Sequence, residues 1–143
     1  MDSHSKFISE QIVRFSDTDA AGIVYFGAFA TYFDESFIAA LKSKSIDWLS
    51  HRKYGFLLPI VEQNIKFYHP LRAGDRVFVE MEISLLKKRS FTSNHKMYID
   101  ENQQKILVAE GKISRVVVSY NEFKAIEIPE VLREVLSYFN VEN

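Results

Sequence analysis

The most regular apolar pattern in the chain lies between Phe29 and Leu41. Phe29, Tyr32, Phe33, Phe37, Ala40 and Leu41 fall at the offsets of one helical face, and Ser36 is the one polar residue inside the stripe. This spacing predicts a helix whose rings must be covered by a second layer, because a helix cannot bury them against itself. The rest of the chain supplies that layer. Residues 76–86 alternate most cleanly, with Val77, Val79, Met81, Ile83 and Leu85 inward and Arg76, Glu80, Glu82 and Ser84 outward. Residues 6–15 predict a first strand packed on both faces. Residues 56–68 predict another, with Leu57, Val61, Ile65 and Phe67 sharing a face and Pro59 implying an edge position or a bulge. A turn over residues 69–75 leads into the alternating strand. Residues 89–99 and 105–119 then form a hairpin around a polar cluster, and Gly111 marks a bulge or a close backbone approach. Ile46, Trp48 and Leu49 predict a short second helix ending near Lys53 and closed by Gly55. Pro129 starts a terminal helix carrying Val131, Leu132, Val135, Leu136 and Phe139.

The element order is strand, long helix, short helix, four strands and a terminal helix. That is an α+β arrangement with an antiparallel sheet, and five strands wrapped about the long helix would satisfy both the aromatic stripe and the alternating strands. No repeat, low-complexity tract or linker interrupts it, so residues 1–143 read as a single domain. At 143 residues and 47% hydrophobic content the chain can bury a proper core.

Charge and rare residues act by exclusion. A net charge of -1 gives no global basic field for nucleic acid or an anionic membrane, so any anion site must be local. The absence of cysteine removes disulfides, thiolate ligands and a cysteine nucleophile. With neither a signal-peptide core nor an apolar run of spanning length, a cytoplasmic protein without membrane insertion is expected. His4, His51, His69 and His95 show no metal-ligand spacing, so no metal is expected. No serine sits in a nucleophile elbow, and no glycine-rich phosphate loop is present.

The candidate chemistry lies just before the long helix. Asp17 and Asp19 stand at alternate positions and are followed by Ala20, Ala21 and Gly22. Unpaired amides and the positive dipole end of a helix gather there and can hold an anion. A carboxylate beside such donors suits acyl transfer, although aspartates before a helix also serve as caps. Asp34 lies about 100° around the helix from Phe33, at the edge of the apolar stripe, where it could reach a pocket or simply be solvated. Lys87, Lys88 and Arg89, followed by Ser90, are the densest basic run and read as a solvated strand end or as a local anion site.

The run Asp17-Thr18-Asp19-Ala20-Ala21-Gly22-Ile23-Val24-Tyr25-Phe26 resembles the active-site segment of the 4-hydroxybenzoyl-CoA thioesterase family of hotdog-fold enzymes. Pro59-Ile60-Val61, Gly74-Asp75, Lys87-Lys88-Arg89-Ser90-Phe91 and Ala125-Ile126-Glu127-Ile128-Pro129 sit at family-like spacings. The resemblance implies a hotdog fold, with a five-stranded antiparallel sheet around a long central helix and a short C-terminal helix. It implies an acyl-CoA thioesterase that needs no cofactor, coenzyme A entering only as part of substrate and product. Asp19 would be the catalytic carboxylate, acting as nucleophile or general base. The backbone N–H of Phe26, with that of Gly27 adjacent, would hold the oxyanion. Asp34 of a neighbouring subunit would bind a ring hydroxyl, and Lys87, Lys88, Arg89 and Ser90 would anchor the coenzyme phosphates. A homo-oligomer is implied, a dimer or a tetramer built of dimers, with active sites between subunits.

The same run is similar to that of cyanobacterial 1,4-dihydroxy-2-naphthoyl-CoA hydrolases of phylloquinone or menaquinone biosynthesis. The expected substrate is therefore 1,4-dihydroxy-2-naphthoyl-CoA first and 4-hydroxybenzoyl-CoA second. Phe26 and Gly27 depart from the tyrosine and proline of the benzoyl enzyme, and the Tol-Pal-associated short-chain branch carries a histidine where this chain has Phe26. A short- or medium-chain acyl-CoA thioesterase and a non-catalytic acyl-CoA-binding protein are the alternatives. A dehydratase would use a histidine with a carboxylate, and the central helix carries no histidine.

Overall fold

The computed structural model describes residues 6–141, apart from the side chains of residues 49–51. In chain order its elements are β1 (Phe7–Ile12), α1 (Phe29–Ser43), β2 (Phe56–Leu57), β3 (Ile60–Phe67), β4 (Arg76–Leu86), β5 (Ser90–Glu101), β6 (Gln104–Val116), β7 (Val118–Ser119) and α2 (Glu130–Tyr138), with short 3-10 turns between some of them. Five strands form one antiparallel sheet in the order β1-β4-β5-β6-β3. The helix α1 packs on one face of it.

The aromatic stripe explains why. Phe29, Tyr32, Phe33, Ser36, Phe37, Ala40 and Leu41 are all buried, each position of the predicted face. Burying a large apolar side chain contributes about 1.5–3 kcal/mol, so this face alone ties the helix to the sheet. Opposite it, Val77, Val79, Met81 and Ile83 of β4 are shut from solvent. Gly111 on β6 is a site of close approach, because a Cβ there would lie 2.8 Å from Cε2 of Phe33. The ring of Phe33 rests on backbone where any other residue would displace it.

Several local expectations need correction. The strand predicted over 56–68 breaks at Leu58 and Pro59 into β2 and β3, and the strand predicted over 105–119 breaks at Val117. The two short outer pieces, β2 and β7, pair with each other as a separate ribbon. β1 is packed on one face only: Phe7 packs against the core, whereas Ile8 and Ile12 are exposed. Val61 and Phe67 are exposed although they share a face with Ile65, because β3 is the sheet edge that Pro59 suggested. A register shift between Ile83 and Leu85 ends the alternation of β4, so that Leu86 rather than Leu85 packs on the core. The second helix is a 3-10 helix, Trp48–Tyr54, followed by Gly55 at φ +78. In α2, Leu132, Val135 and Leu136 are buried while Val131 is exposed. The side chains of Leu49 and His51, and all of His4, lie outside the described residues.

Candidate active site

The segment between β1 and α1 folds on itself through its own backbone. Thr18 and Val24 form an isolated antiparallel bridge, the Asp19 amide donates to the Ile23 carbonyl at 2.9 Å, and the Gly22 amide donates to the Asp19 carbonyl at 2.9 Å. Gly22 sits at φ +79, a conformation that disfavours any side chain. The Val24 amide donates to Leu71, which fastens this small loop to the turn before β4.

The two aspartates have separate duties. The carbonyl of Asp17 accepts the Tyr25 amide, and its Oδ2 accepts the Tyr32 hydroxyl at 2.6 Å and Arg14 Nε at 3.0 Å. Arg14 also pairs with Glu35 at 3.2 Å and lies over the Tyr32 ring. Burial, together with donation to Asp17, holds the Tyr32 phenol above its ordinary value, so it remains a donor. Asp17 therefore pins the loop to α1. Asp19 is exposed, and its Oδ1 accepts only the Ala21 amide, at 2.9 Å. Neither aspartate caps α1: its N-cap position is Ala28, with no side-chain hydrogen bond. The capping explanation thus does not apply, and Asp19 keeps a carboxylate oxygen without a partner among the described residues.

Phe26, Gly27 and Ala28 form a 3-10 turn that leads directly into α1. The Ala28 amide donates to Tyr25, but among the described residues the amides of Phe26 and Gly27 have no acceptor. These are the orphan donors expected at a helix start. A Cβ on Gly27 would lie 2.4 Å from the Tyr25 ring, so a glycine lets that ring fold back over the turn. The Phe26 ring stacks obliquely on Phe67 at 5.0 Å, and Phe67 in turn meets Phe29 edge-on at 5.0 Å. An exposed carboxylate, two free amides and an aromatic wall thus share one corner of the molecule. Phe67 was legible in sequence only as a strand residue.

The other candidates lie elsewhere. Asp34 forms an ion pair with Arg115 of β6. Arg115 has only 9% of its side chain exposed; it also donates to the Leu58 carbonyl at 3.2 Å and stacks over Phe37. Burial pushes this guanidinium down from its ordinary value and Asp34 works against the shift, so it stays a cation. On β5, opposite Gly111, His95 is buried with its Nε2 2.9 Å from Ser93 Oγ and its ring on Phe33. Burial, aided by the charge of Arg115, lowers the His95 pKa to about 3, so the ring is neutral at pH 7. Sequence reasoning missed both. The signal was parity, since Arg115 falls between Ile113 and Val117 on the inward side of its strand.

Lys87, Lys88 and Arg89 form the tight turn between β4 and β5. The turn is held by Lys87 N–H to the Ser90 carbonyl and by Arg133 donating to the Lys87 and Lys88 carbonyls, while Lys88 pairs loosely with Glu127. The three basic side chains are exposed. Within one chain they are not near Asp19. The Asp19 loop is fastened beside the start of β4, and the basic turn follows its end, roughly 33 Å away at the rise of a strand. No helix of the described residues is long and apolar enough to cross a membrane.

Comparison with known proteins bears on the same regions. The model of the Thioesterase-like superfamily matches residues 13–136. A 1,4-dihydroxy-2-naphthoyl-CoA hydrolase of Microcystis aeruginosa is 31% identical over 132 residues, covering 92% of this chain and 93% of its own. The crystal structure of a 1,4-dihydroxy-2-naphthoyl-CoA thioesterase from Synechocystis superposes with a TM-score of 0.82 at 28% identity, over 92% of this chain and 96% of that one. A 4-hydroxybenzoyl-CoA thioesterase variant in complex with 4-hydroxybenzoyl-CoA has a TM-score of 0.83 at 22% identity, over 92% and 98% respectively, which is a likeness of fold. The resemblance read from the Asp17 to Phe26 run and the fold it implied are both borne out.

Proposed function

The chain belongs to the Thioesterase-like superfamily and is a thioester hydrolase, and on that premise we propose that it cleaves a hydroxyaromatic acyl-CoA, 1,4-dihydroxy-2-naphthoyl-CoA before 4-hydroxybenzoyl-CoA. The observation that carries the reading is an exposed Asp19 with one carboxylate oxygen unpartnered among the described residues, in the loop that leads to the acceptor-free amides of Phe26 and Gly27. The substrate carbonyl oxygen sits on those amides, which strengthen as negative charge develops on it. Asp19 then acts in one of two ways. As a nucleophile, its oxygen bonds to the carbonyl carbon, the thiolate leaves, and water splits the resulting anhydride. As a general base, it takes a proton from water while the hydroxyl adds, and the thiolate leaves as the tetrahedral adduct collapses. Either route ends in free acid and coenzyme A. Single turnover in ¹⁸O-water separates them, because only the nucleophilic route can place label in the Asp19 carboxylate.

The site is completed by a second copy of the chain. β3 is an edge strand whose outer side carries exposed Ile60 and Val61, with exposed Phe67 and Tyr68 at its end. Antiparallel pairing of two β3 edges would reverse one sheet against the other. The end holding Lys87, Lys88, Arg89, Ser90 and Asp34 of one copy would then lie beside the end holding Asp19 and Phe26 of the other. That arrangement supports Asp34 as the acceptor for a ring hydroxyl and the basic turn as the anchor for coenzyme phosphates, a role that the roughly 33 Å separation excludes for that turn within one chain.

The test is thiol release from 1,4-dihydroxy-2-naphthoyl-CoA, 4-hydroxybenzoyl-CoA, benzoyl-CoA and aliphatic acyl-CoAs, with the oligomeric state measured on the same sample. A kcat/KM of about 10⁴ M⁻¹s⁻¹ or better on a hydroxyaroyl ester is expected. Uniformly weak turnover with retained binding would point to an acyl-CoA-binding protein instead.

A further inference from the structure

The pair formed by Asp34 and Arg115 is unusual for a residue expected to meet a ligand. Arg115 is a buried cation that never reaches the surface, whereas 41% of the Asp34 side chain is exposed. A buried guanidinium is expensive to desolvate and is seldom placed for stability alone. Both terminal nitrogens of its head are directed, while the buried Nε has no partner among the described residues. One terminal nitrogen donates to the Leu58 carbonyl, the other to Asp34 Oδ1, and the Phe37 ring lies beneath the plane at 4.7 Å from the guanidinium carbon. Asp34 Oδ2 has no partner among the described residues. The carboxylate is therefore gripped by one oxygen from inside and presents the other to the outside.

We infer that Arg115 is a positioning residue for acyl specificity: it fixes the direction of the Asp34 carboxylate, so that its free oxygen accepts a hydroxyl of the acyl ring. This rests on the proposed hydrolysis of hydroxyaromatic thioesters. Arg115 does not touch the substrate. Its strand position sets the grip, since Arg115 faces Ile60 of β3 across the sheet and so lies toward the edge where a second copy would pair. A carboxylate held this way favours a hydroxylated ring by donor to acceptor matching, and an unhydroxylated ring leaves the acceptor unpaired.

The test measures kcat and KM for 4-hydroxybenzoyl-CoA and benzoyl-CoA with the wild-type protein, Arg115→Met, Arg115→Lys, Asp34→Asn and the double variant Asp34→Asn/Arg115→Met. The ratio of the two kcat/KM values is expected to fall roughly tenfold or more in Arg115→Met, chiefly through KM for the hydroxylated ester. Asp34→Asn should lose a similar share, and the double variant should lose no more than the larger single change, because both act on one contact. Arg115→Lys keeps the charge and should recover part of the ratio; it also serves where Arg115→Met does not fold. Retention of the wild-type ratio in folded Arg115 variants, with Asp34→Asn having lost it, would reduce Arg115 to a strut between helix and sheet. A wild-type protein that hydrolyses neither these esters nor 1,4-dihydroxy-2-naphthoyl-CoA fails the functional reading itself, and is recognised before any variant is compared; where only the naphthoyl ester is turned over, its kcat/KM against that of 2-naphthoyl-CoA gives the ratio.

Discussion

Asp19, in the loop before α1, and Asp34, inside that helix, are held in opposite ways. Asp19 hangs from a loop that closes through its own backbone, and among the described residues it takes a single amide hydrogen bond and pairs with no cation. Asp34 is locked to a buried arginine that is itself fixed by a carbonyl and an aromatic ring. The first is free to form or relay a bond; the second is committed in direction and keeps one oxygen open, as its proposed role in recognition requires. A carboxylate that must change partners during a reaction gains nothing from a rigid counter-ion, and one that must judge a ligand gains its selectivity from that rigidity.

The contrast predicts unequal stability. Asp34→Ala leaves Arg115 buried without its counter-charge and should lower the unfolding free energy by about 3 kcal/mol. Asp19→Ala removes one exposed hydrogen bond and should cost about 1 kcal/mol or less. Urea denaturation of the two variants measures both, and equal effects would erase the distinction. Tyr32→Phe comes next, since it takes from Asp17 the donor that pins the loop. A loss of about 1.5 kcal/mol is expected, with a fall in kcat as the loop loosens while KM for benzoyl-CoA moves little.

A further effect is a pH dependence. His95 is buried and neutral, with its pKa lowered to about 3 by burial and by Arg115, against 6.5 when exposed. Below pH 6.5 the unfolded chain binds a proton there that the folded chain does not. Its contribution to stability is present above pH 6.5 and lost as pH falls toward 3, at about 1.4 kcal/mol per unit. Unfolding curves at pH 7.5 and 5.5 should show this loss in the wild-type protein and a flatter response in His95→Gln.

How much of this was legible in the sequence depended on the range of the interaction. The stripe from Phe29 to Leu41 is buried at each predicted position, Ser36 included, because a period of 3.6 residues is a local property. The inward set of β4 held up to Ile83 and then failed, since a register shift is decided by the neighbouring strand rather than by the strand's own residues. The breaks at Pro59 and Val117 belong to the ribbon of β2 and β7, which joins segments about sixty residues apart. In the candidate site, the Asp17 to Phe26 run pointed to the proposed chemistry through its residue types and its place before a helix. It could not show that Asp17 is tied to Tyr32 or that Asp34 meets a partner 81 residues away. Arg115 stood on the inward parity of its strand, a visible anomaly whose destination is set only by packing.

The most direct measurement is turnover of 1,4-dihydroxy-2-naphthoyl-CoA by Asp19→Asn. The amide keeps the shape and the hydrogen bond from the Ala21 amide but cannot attack a carbonyl or take a proton from water. The kcat should fall roughly 10²-fold or more, with KM and urea midpoint close to those of the wild-type protein. Turnover equal to the wild type in a folded variant would contradict the account, because it would leave the amides of Phe26 and Gly27 without the carboxylate they are proposed to serve.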